Sequence, residues 1–383
     1  MPLPLRYNFR SLLRRPMRAL LTAGGTGLAV LVAMLMLALA RGVLDGIRES
    51  AHPLNVLVTS KGAETIEFSS LDRGVYEKLR HSPEIAQEKG NALASPELYF
   101  TTMAATGRGN ETTQAIVRGV LPVAFEVHDM VRLAEGRLPS APGEILVGGL
   151  VATKLGINAT AVKIGESLKF EGNVWRIVGR IEAPGTVFDS EIWGGLDDLM
   201  TASRRAEYSS IVLRAADPAA MEEMIFDFET RRDVLAESRE ESLYYAAYAE
   251  NFAPIRSMVI VMAAMMVLGG VFIGMNTLFA AVVGRTREIG VLRVTGYRRW
   301  HIALGFLVEA LPPALLGGAV ACLIALGFNG LGLRIPMGAF RFQIDFPLLG
   351  FGLFLSLMIA LLGSLWPLWR AMRISTIDAI RHL

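Results

Sequence analysis

Few side chains in this sequence are spaced for chemistry. The histidines are scattered, without the His-x-x-x-His spacing of a zinc site and without a carboxylate helper that could orient a catalytic imidazole. They are His52, His81, His128, His301 and His382. We therefore predict no catalytic residue and no metal site on this chain.

The sequence also lacks a phosphate-binding loop. Gly143 and Gly148 have the spacing of the two glycines in such a loop. Gly149 and Leu150 follow them, where a lysine and a serine or threonine would contact phosphate and metal. The segment is better explained as the end of a strand and a turn. The 383 residues thus predict no ATPase and no bound cofactor on this chain.

One charged segment interrupts a very apolar part of the chain. It reads GRTREIGVLRVTG, covers residues 284 to 296, and lies between two stretches that are almost free of charge. Ile289, Leu292 and Gly296 follow the i, i+3, i+7 spacing of one helix face, and Arg287 and Glu288 stand beside it. We expect this amphipathic helix to place that stripe in a groove of a partner protein.

Glu309 is the single charge between residues 302 and 333. A carboxylate within a membrane is costly unless it is paired or protonated. One explanation is a structural role, paired with an arginine or protonated, and the other is conformational coupling. The sequence leaves both open. A proton relay would need ionisable groups in the other apolar stretches, and those stretches contain none.

Four long apolar stretches have to position these residues. The chain is 52% hydrophobic with a mean hydropathy of +0.41, which indicates a membrane protein. Each stretch is long enough to cross a hydrocarbon core of about 30 Å as a helix. We predict four spanning helices, the first of them retained because its apolar run is longer than that of a signal peptide. The stretches are residues 20–40, 257–284, 302–333 and 346–369.

Arginines predict the orientation. Thirteen arginines and two acids lie in three segments of the chain. These segments are the first 19 residues, residues 284–301 and the tail from residue 370. The positive-inside rule places all three in the cytoplasm, with both termini. Residues 42–256 then lie outside, where 22 Lys and Arg against 32 Asp and Glu predict a solvated domain. This domain cannot use a disulfide, because the only cysteine, Cys322, lies in the third span.

The outer domain has the pattern of a mixed α and β fold. Residues 55–60 and 209–215 are short β-branched runs, and residues 167–181 alternate around a Glu-Gly-Asn turn as a hairpin does. Residues 217–235 look helical, with Asp217 as the N-cap before Pro218 at the first helical position.

Three tyrosines precede the second span. Tyr244, Tyr245 and Tyr248 occupy neighbouring positions on a helix. Aromatic residues in that place are typical anchors at the membrane interface, which is the interpretation we favour. The alternative is a contact surface or a stalk helix that continues out of the bilayer.

Small residues and prolines mark the second and third spans. Gly270 and Gly274 have the small-x-x-x-small spacing that lets helices approach closely. Packing within the chain is the favoured interpretation, and a dimer contact is the alternative. Pro312 and Pro313 are expected to bend or break the third helix.

The charged segment and the residues that follow it resemble the cytoplasmic loop of the MacB/FtsX-like permease family of ABC transporters. The family motif is of the type R-T-R-E-I-G, then L-R, then G. The segments NFRSLLRRPMRALLT, FLVEALPPALLGGAVAC and PLWRAMRISTIDAIR are similar to the basic N-terminal helix, third span and C-terminal tail of the family. AEGRLPSAPGEILVGGLVATKLG resembles part of a MacB-type periplasmic core domain. The family often has an acid before the first arginine, where this chain has Gly284.

This resemblance implies a permease that works with a cytoplasmic ABC ATPase, on which ATP and Mg would be bound. It also implies a homodimer, or a heterodimer with a related permease, in contact with membrane lipid. A periplasmic adaptor or a lipoprotein could join the complex, and no nucleic acid is expected. Carried over by position, the residues of a coupling helix that docks on the ATPase are Arg287, Glu288, Gly290, Leu292, Arg293 and Gly296.

The predicted fold class is a membrane protein with four transmembrane helices and a large α+β extracytoplasmic domain between helices 1 and 2. Residues 1–41 form the basic segment and helix 1. Residues 42–253 form the outer domain, which the resemblance divides into a porter-like part and a β-rich insertion. Residues 254–383 contain helices 2 to 4, the coupling loop 285–301 and the tail 370–383.

Two functions follow from the resemblance. The first is a permease of the bacterial inner membrane that couples ATP hydrolysis by a separate ATPase to movement of the outer domain. It would export or extract a lipid, lipoprotein, peptide or drug. The second is mechanotransmission that regulates a cell-wall hydrolase without transport. The outer segment resembles the MacB core domain more than the smaller domain of that branch, which favours the first. A membrane-anchored enzyme is disfavoured by the lack of a nucleophile, metal site or acid pair.

Overall fold

The computed structural model describes residues 16–107, 111–231, 235–335 and 338–373. The chain separates into two compact units. The membrane unit comprises Met1–Ala40, Pro254–Gly330 and Phe342–Leu383, and the outer unit comprises Arg41–Ala253 and Leu331–Arg341. Four helices among the described residues are long and apolar enough to cross a membrane, in agreement with the predicted fold class.

The helices are numbered in chain order. They are α1 (Pro16–Arg48), α2 (Arg73–Leu79), α3 (Ala124–Val127), α4 (Val151–Leu155), α5 (Leu196–Ser203), α6 (Pro218–Thr230), α7 (Glu241–Glu250), α8 (Ala253–Val283), α9 (Thr286–Val294), α10 (Arg299–Leu326) and α11 (Phe346–Arg373). The four long helices are α1, α8, α10 and α11, with mean hydropathies between 1.9 and 2.5 in their most apolar windows.

Small residues allow the long helices to pack closely. A Cβ atom on Gly270 of α8 would lie 2.9 Å from the Cβ atom of Ala29 and 3.0 Å from Cδ1 of Ile359. Gly270 thus has the predicted packing role within the chain, between α1 and α11. Gly27 likewise lets α1 approach α10, because its Cβ would lie 2.8 Å from the carbonyl oxygen of Gly317.

Pro312 and Pro313, which were expected to bend or break the third helix, do not break it. Both prolines lie inside α10, which continues for 28 residues. Prolines are tolerated in transmembrane helices because neighbouring helices and local adjustments satisfy the backbone groups that they free. The surroundings here fit that explanation, since Pro313 and Ala314 are both buried in the membrane unit.

The outer unit is built on one mixed sheet. Its strand order is β12-β1-β11-β4-β5-β10-β7-β9-β6, and β8 pairs with β4 and β9. The strands are β1 (Asn55–Ser60), β2 (Gln87–Glu88), β3 (Asn91–Ala92), β4 (Ala94–Thr106), β5 (Thr113–Val120), β6 (Arg132–Gly136), β7 (Glu144–Gly148), β8 (Ser167–Phe170), β9 (Asn173–Glu182), β10 (Ile192–Gly195), β11 (Ser210–Arg214), β12 (Ala236–Glu240), β13 (Gly332–Ile335) and β14 (Gly338–Arg341).

The long strand β4 joins two parts of this sheet. Its first residues pair with β11, and its later residues pair with β5 and then with β8. A continuous apolar core, with Val117, Ile145, Leu168 and Ile211 among its buried members, runs along both parts. The unit therefore holds together by apolar burial, as a domain without a disulfide must.

Several local predictions for the outer unit are confirmed. Strands β1 and β11 occupy the two β-branched runs, and β8 and β9 form the hairpin. Its turn residues Glu171 and Gly172 both have positive φ, 49° and 72°, as a two-residue hairpin turn requires. Asp217 caps α6 by accepting a hydrogen bond from the Ala220 amide at 2.8 Å. The Gly143 to Gly148 segment is the turn before β7 and the strand itself.

The tyrosines before the second span do not have the predicted anchoring role. Tyr244 and Tyr245 on α7 are 7% and 5% exposed and pack in a core of the outer unit with Leu57 and Val212. The hydroxyl of Tyr244 also accepts a hydrogen bond from the Ile66 amide at 3.1 Å. An anchor would instead present its ring to the membrane interface, so α7 belongs to the packed outer unit.

A hairpin between the third and fourth long helices belongs to the outer unit. Strands β13 and β14 form it, although the sequence grouped this segment with the membrane helices. Arg341 at its end donates to Asp189 at 2.8 Å, and Asp189 is fully buried. The chain leaving α10 thus passes through an element of the outer unit before it enters α11.

Candidate functional site

The charged segment forms the short helix α9. Glu288 lies in its first turn and Arg293 in its last, the arrangement that the helix dipole favours. Gly296 follows the helix with a φ of 96°, and the amide of Tyr297 donates back to the Leu292 carbonyl at 3.0 Å. Glycine is favoured at this left-handed position because it has no Cβ. Gly296, one of the predicted docking residues, therefore also ends the helix.

Part of the predicted stripe of α9 is covered by the membrane unit itself. Ile289 is 1% exposed and packs with Leu278, Ile302 and Phe306, and Leu292 packs against the same cluster. Gly290 is buried beside Ile289. Ile289 and Leu292 therefore fix α9 to the helices of its own unit, whereas Gly296 of the same stripe is exposed.

A different face of α9 is accessible. Arg287 and Glu288 are exposed, and Val291 and Val294 are 58% and 66% exposed. Their spacing places them together on one side of a helix. Together with Arg287 and Glu288, these two exposed valines form a small amphipathic surface. The sequence indicates this surface through the i, i+4, i+7 spacing of Arg287, Val291 and Val294.

Arg285, which the sequence analysis did not single out, connects α9 to α10. Its Nε donates to Glu288 at 2.6 Å and its Nη1 donates to Glu309 at 2.7 Å. The guanidinium also lies 5.1 Å from the ring centroid of Phe306, and the side chain is only 8% exposed. The predicted pairing of Glu309 with an arginine is thus confirmed. In the sequence, the i, i+3 spacing of Arg285 and Glu288 indicates the first of these two ion pairs.

The outer unit contains a second cluster of charges, and it is completely buried. Arg118 on β5 donates to Glu191 through Nε at 2.7 Å and to Glu97 on β4 through Nη1 at 2.6 Å. The indole Nε1 of Trp193 donates to Glu191 at 2.9 Å. The charged side chains are 0 to 2% exposed. Charges in such a place require partners, and these strands supply them.

His128 extends this cluster toward helix α7. Its Nε2 lies 2.7 Å from Glu97, and its Nδ1 lies 3.8 Å from Glu241 at the start of α7. Glu241 also accepts from the His52 amide at 2.9 Å and from Asn55 Nδ2 at 2.8 Å. The expectation that no carboxylate lies near a histidine is therefore wrong in three dimensions, because residues distant in sequence converge on His128.

The pKa shifts in this cluster have opposing causes. Burial alone would raise the pKa of Glu97, but the charges of His128 and Arg118 outweigh it and lower the pKa to about 2. Burial opposes protonation of His128, yet Glu97 and Glu241 raise its pKa above the ordinary value. Burial raises the pKa of Glu241, with His128 acting against that rise. The cluster therefore favours a charged His128 bonded to an ionised Glu97.

The cluster is built for structure. All five charged side chains are at most 2% exposed, so a substrate has no access to His128. The residues that the structure describes contain no group of three or more potential ligands that could hold a metal ion. Its position between β4, β5, β10 and α7 instead fixes these elements to one another. The exposed face of α9 is the better candidate for a functional contact.

Two known families match the chain. The family of MacB-like periplasmic core domains matches residues 19–231, and the family of FtsX-like permease C-terminal domains matches residues 260–376. The first match covers more than half of the chain. The second contains α9 and its accessible face.

Individual relatives are similar over most of the chain. The uncharacterized ABC transporter permease YknZ of Bacillus subtilis is 22% identical, with 99% of this chain and 98% of that protein covered. The macrolide export ATP-binding/permease protein MacB of Brucella melitensis is 26% identical, with 84% of this chain and 52% of that protein covered. The chain thus spans about half the length of this MacB relative.

Solved structures of outer domains are also similar. The periplasmic region of MacB from Actinobacillus actinomycetemcomitans is 12% identical, with a TM-score of 0.39 over 52% of this chain and 94% of that one. The extracellular domain of YknZ is 11% identical, with a TM-score of 0.37 over 48% of this chain and 99% of that one.

Proposed function

Since the chain belongs to the FtsX-like permeases with a MacB-like periplasmic core domain, it is an ABC transporter permease, and we propose that an ATPase on another chain drives it. The single observation that carries this proposal is the accessible face of α9. Arg287 and Glu288 offer charges there, and Val291 and Val294 offer apolar surface that the membrane unit leaves uncovered. A helix of this kind suits a groove on a soluble partner.

The docking residues are a refined version of the predicted set. Arg287 and Glu288 stay in contact with the ATPase, and Val291 and Val294 join them. Gly290 and Leu292 hold α9 against its own unit, and Gly296 ends the helix. Arg293, which is half-buried near the end of α9, keeps its proposed docking role.

Movement of α9 would pass to α10 through Arg285. Its ion pairs with Glu288 and Glu309 join the two helices. The chain then runs from the end of α10 into the β13–β14 hairpin, where Arg341 pairs with the buried Asp189. A displacement at α9 therefore has a continuous covalent and ionic route into the outer unit.

The proposed setting is the inner membrane of a bacterium, with both termini and α9 in the cytoplasm and the outer unit in the periplasm or outside the cell. The excess of arginine in the three cytoplasmic segments supports this orientation. A dimer, of two copies or of this chain with a related permease, would present two copies of α9 to an ATPase dimer. ATP and Mg would be bound there, because this sequence has no phosphate-binding loop.

Export or extraction is the proposed task, with a lipid, lipoprotein, peptide or drug as the substrate. The match of residues 19–231 to a MacB-like core domain supports it over mechanotransmission to a cell-wall hydrolase. Cross-linking and pull-down of the full chain from cells would separate the two. Recovery of an adaptor or a lipoprotein supports transport, whereas recovery of a hydrolase supports mechanotransmission.

The docking proposal is tested by ATPase activity in the assembled complex. The ATPase encoded nearest to this permease is co-purified with it in lipid nanodiscs, and Val291→Asp is compared with Val174→Asp. Val174 is 60% exposed in the outer unit, which matches the 58% exposure of Val291. We expect the first change to reduce association with the ATPase at least about tenfold, since it places a charge in a small apolar contact, and the second to have no effect. Equal association of both variants would overturn the proposal.

A further inference from the structure

One exposed stripe runs along the last turns of α11 in the membrane unit. Its residues follow the spacing i, i+3, i+4, i+7, i+8 and i+11, which places them on one face of the helix. Toward the end of the helix the stripe changes from leucine to tryptophan and then to arginine. It consists of Leu362, Leu365, Trp366, Trp369, Arg370 and Arg373, all of them exposed. We call this surface the terminal stripe.

Aromatic rings hold both guanidinium groups of the terminal stripe. Cζ of Arg373 lies 3.9 Å from the ring centroid of Trp369, and Cζ of Arg370 lies 5.0 Å from that of Phe279 on α8. The ring centroids of Trp366 and Trp369 are 5.2 Å apart. The negative face of an aromatic ring attracts a cation, so these contacts restrict the two guanidinium groups to positions beside the rings. The cationic end of the stripe is therefore largely formed before a ligand binds.

The two guanidinium groups lack a counter-anion. Helices α8 and α11 contain no aspartate or glutamate. Within the part of the chain that the structure describes, the ring contacts are the only side-chain interactions of Arg370 and Arg373. A ring does not neutralise the charge, and each guanidinium keeps N–H donors that can bind two phosphate oxygens at once. The end of the terminal stripe is therefore suited to binding a phosphate group.

The apolar part of the terminal stripe favours a lipid as the source of that phosphate. Leu362 and Leu365 are 49% and 63% exposed, and they continue the stripe into the part of α11 that is long and apolar enough to cross a membrane. Trp366 and Trp369 lie between the leucines and the arginines, as tryptophan does at a membrane interface. Free phosphate would leave this apolar surface bare. A phospholipid matches both parts, with acyl chains against the leucines and its phosphate at the arginines.

The charge selects among phospholipids. Arg370 and Arg373 bring two positive charges, and α8 and α11 bring no carboxylate. A zwitterionic headgroup would add a further cation, which would have no carboxylate on these helices to pair with. A headgroup with a net negative charge supplies the anion alone, so it is favoured by the attraction between basic side chains and anionic lipids.

We propose that the terminal stripe binds an anionic phospholipid of the phosphatidylglycerol class. The phosphate accepts hydrogen bonds from Arg370 and Arg373, and an acyl chain lies along Leu362 and Leu365. This site goes beyond the proposed function, since it requires neither the ATPase nor a transported substrate. Its test contains no ATPase, so its failure would leave the docking of α9 untouched.

The test is a lipid titration of the full chain. The protein is purified in a non-ionic detergent, and native mass spectrometry measures its affinity for phosphatidylglycerol and for phosphatidylcholine with the same acyl chains. We expect the wild type to prefer phosphatidylglycerol. Each arginine near an anionic lipid is worth about fivefold in affinity, so the double variant Arg370→Gln with Arg373→Gln should bind phosphatidylglycerol about twenty-five-fold less tightly. Arg205→Gln is the matched control, because Arg205 is exposed and also lies over a ring, that of Phe100 at 5.8 Å, but in the outer unit.

A second variant tests the aromatic contact. Trp369→Leu keeps an apolar side chain but removes the ring beside Arg373, and we expect it to weaken phosphatidylglycerol binding about threefold. Trp300→Leu is its control, because Trp300 on α10 is similarly exposed, at 52%, and lies outside the terminal stripe. Unfolding temperatures of all variants show whether the membrane unit remains folded. An equal loss of affinity in both tryptophan variants would indicate general anchoring at the interface and would contradict a site on α11.

Three further results would overturn the proposal. The double arginine variant could bind phosphatidylglycerol as tightly as the wild type does, which would remove the role of the guanidinium groups. The wild type could bind phosphatidylcholine equally well, which would contradict the selection for a net negative charge. Inorganic phosphate at millimolar concentration could displace phosphatidylglycerol from the wild type, which would identify free phosphate as the ligand.

Discussion

The molecule contains two charge clusters, one in each unit, and they differ in how much water reaches them. In the outer unit Glu97, Arg118 and Glu191 are at most 2% exposed. In the membrane unit Arg285 and Glu309 are 8% and 18% exposed, and Glu288 is 49% exposed. The first cluster is closed within a domain. The second begins in the membrane unit and ends at the accessible face of α9.

This difference separates a structural role from a transmitting role. A closed cluster contributes when all its members are paired, and removal of one leaves the others buried without partners. Disruption of a cluster with an exposed end lowers the free energy of unfolding less, because water can replace the lost partner. Changes in the outer cluster should therefore act mainly on folding, whereas changes in the membrane cluster should act mainly on communication with a partner.

The largest expected effect is on the stability of the outer unit. Arg118→Met leaves Glu97 and Glu191 buried without their guanidinium, and we expect a loss of about 3 to 5 kcal/mol in the free energy of unfolding. Chemical unfolding of the full chain, followed by hydrogen exchange of outer-unit peptides, measures it. Arg180→Met is the control, since Arg180 pairs with Glu135 and Glu182 at a side-chain exposure of 40% and should lose less than about 1 kcal/mol. Equal losses would mean that the outer cluster is not closed.

A pH dependence of similar size should come from Glu97. Its pKa is lowered from 4.5 to about 2 in the folded protein, so its stabilisation is fully present above pH 4.5 and is lost as the pH falls toward 2. The linked change is about 3 kcal/mol for a shift of this size. Glu97→Gln should remove it, so the unfolding curves of wild type and variant should converge at low pH.

His128 contributes with the opposite sign. Its pKa is raised above 6.5 in the folded protein, so its stabilisation is present below pH 6.5 and is lost as the pH rises through the folded value. A wild-type protein that keeps its full stability at pH 2 and gains stability from pH 7 to 9 would contradict both assignments.

A smaller loss of stability is expected at the membrane cluster. Arg285→Met removes the partner of Glu309 and Glu288, and we expect about 1 to 3 kcal/mol, since these carboxylates retain some access to water. The ATPase activity of the complex should become independent of the permease, because α9 and α10 no longer move together. Arg285→Lys should recover part of the stability, since a lysine can keep one ion pair but not both hydrogen bonds. An unchanged ATPase response in Arg285→Met would contradict the proposed route.

The smallest change in stability should come from Glu288→Gln. Its bond to Arg285 is an i, i+3 pair in which Glu288 itself is 49% exposed, and such a pair is worth no more than about 0.5 kcal/mol. If Glu288 also contacts the ATPase, association of the two proteins should weaken several-fold while the unfolding transition stays in place. A shift of the unfolding transition without a change in association would show that Glu288 has a structural role and does not contact the ATPase.

Much of the architecture could be predicted because it depends on local sequence patterns. Uncharged runs predict the long helices, alternation around Glu171 and Gly172 predicts a hairpin, and Asp217 before Pro218 predicts the start of α6. These signals depend on neighbours within a few residues. The same holds for α9, whose helical spacing and flanking charges are visible in the sequence.

The rest depends on contacts between distant residues. Glu97 and Glu241 are separated by more than a hundred residues, and only the sheet and α7 bring them to His128. Likewise, periodicity shows that α9 has an apolar face, but it does not show whether a partner or the protein's own helices cover that face. The structure packs Ile289 within the membrane unit and leaves Val291 and Val294 exposed.

The most direct test of this account is site-specific photocrosslinking from α9 in the complex with its ATPase. A photoreactive amino acid is placed at Val291 or Val294, and at Val283 as a control with similar exposure, 52%, outside α9. We expect strong crosslinks to the ATPase from positions 291 and 294 and none from 283. Equal crosslinking from all three positions, or none from 291 and 294 in an assembled complex, would contradict the claim that this face of α9 contacts the ATPase.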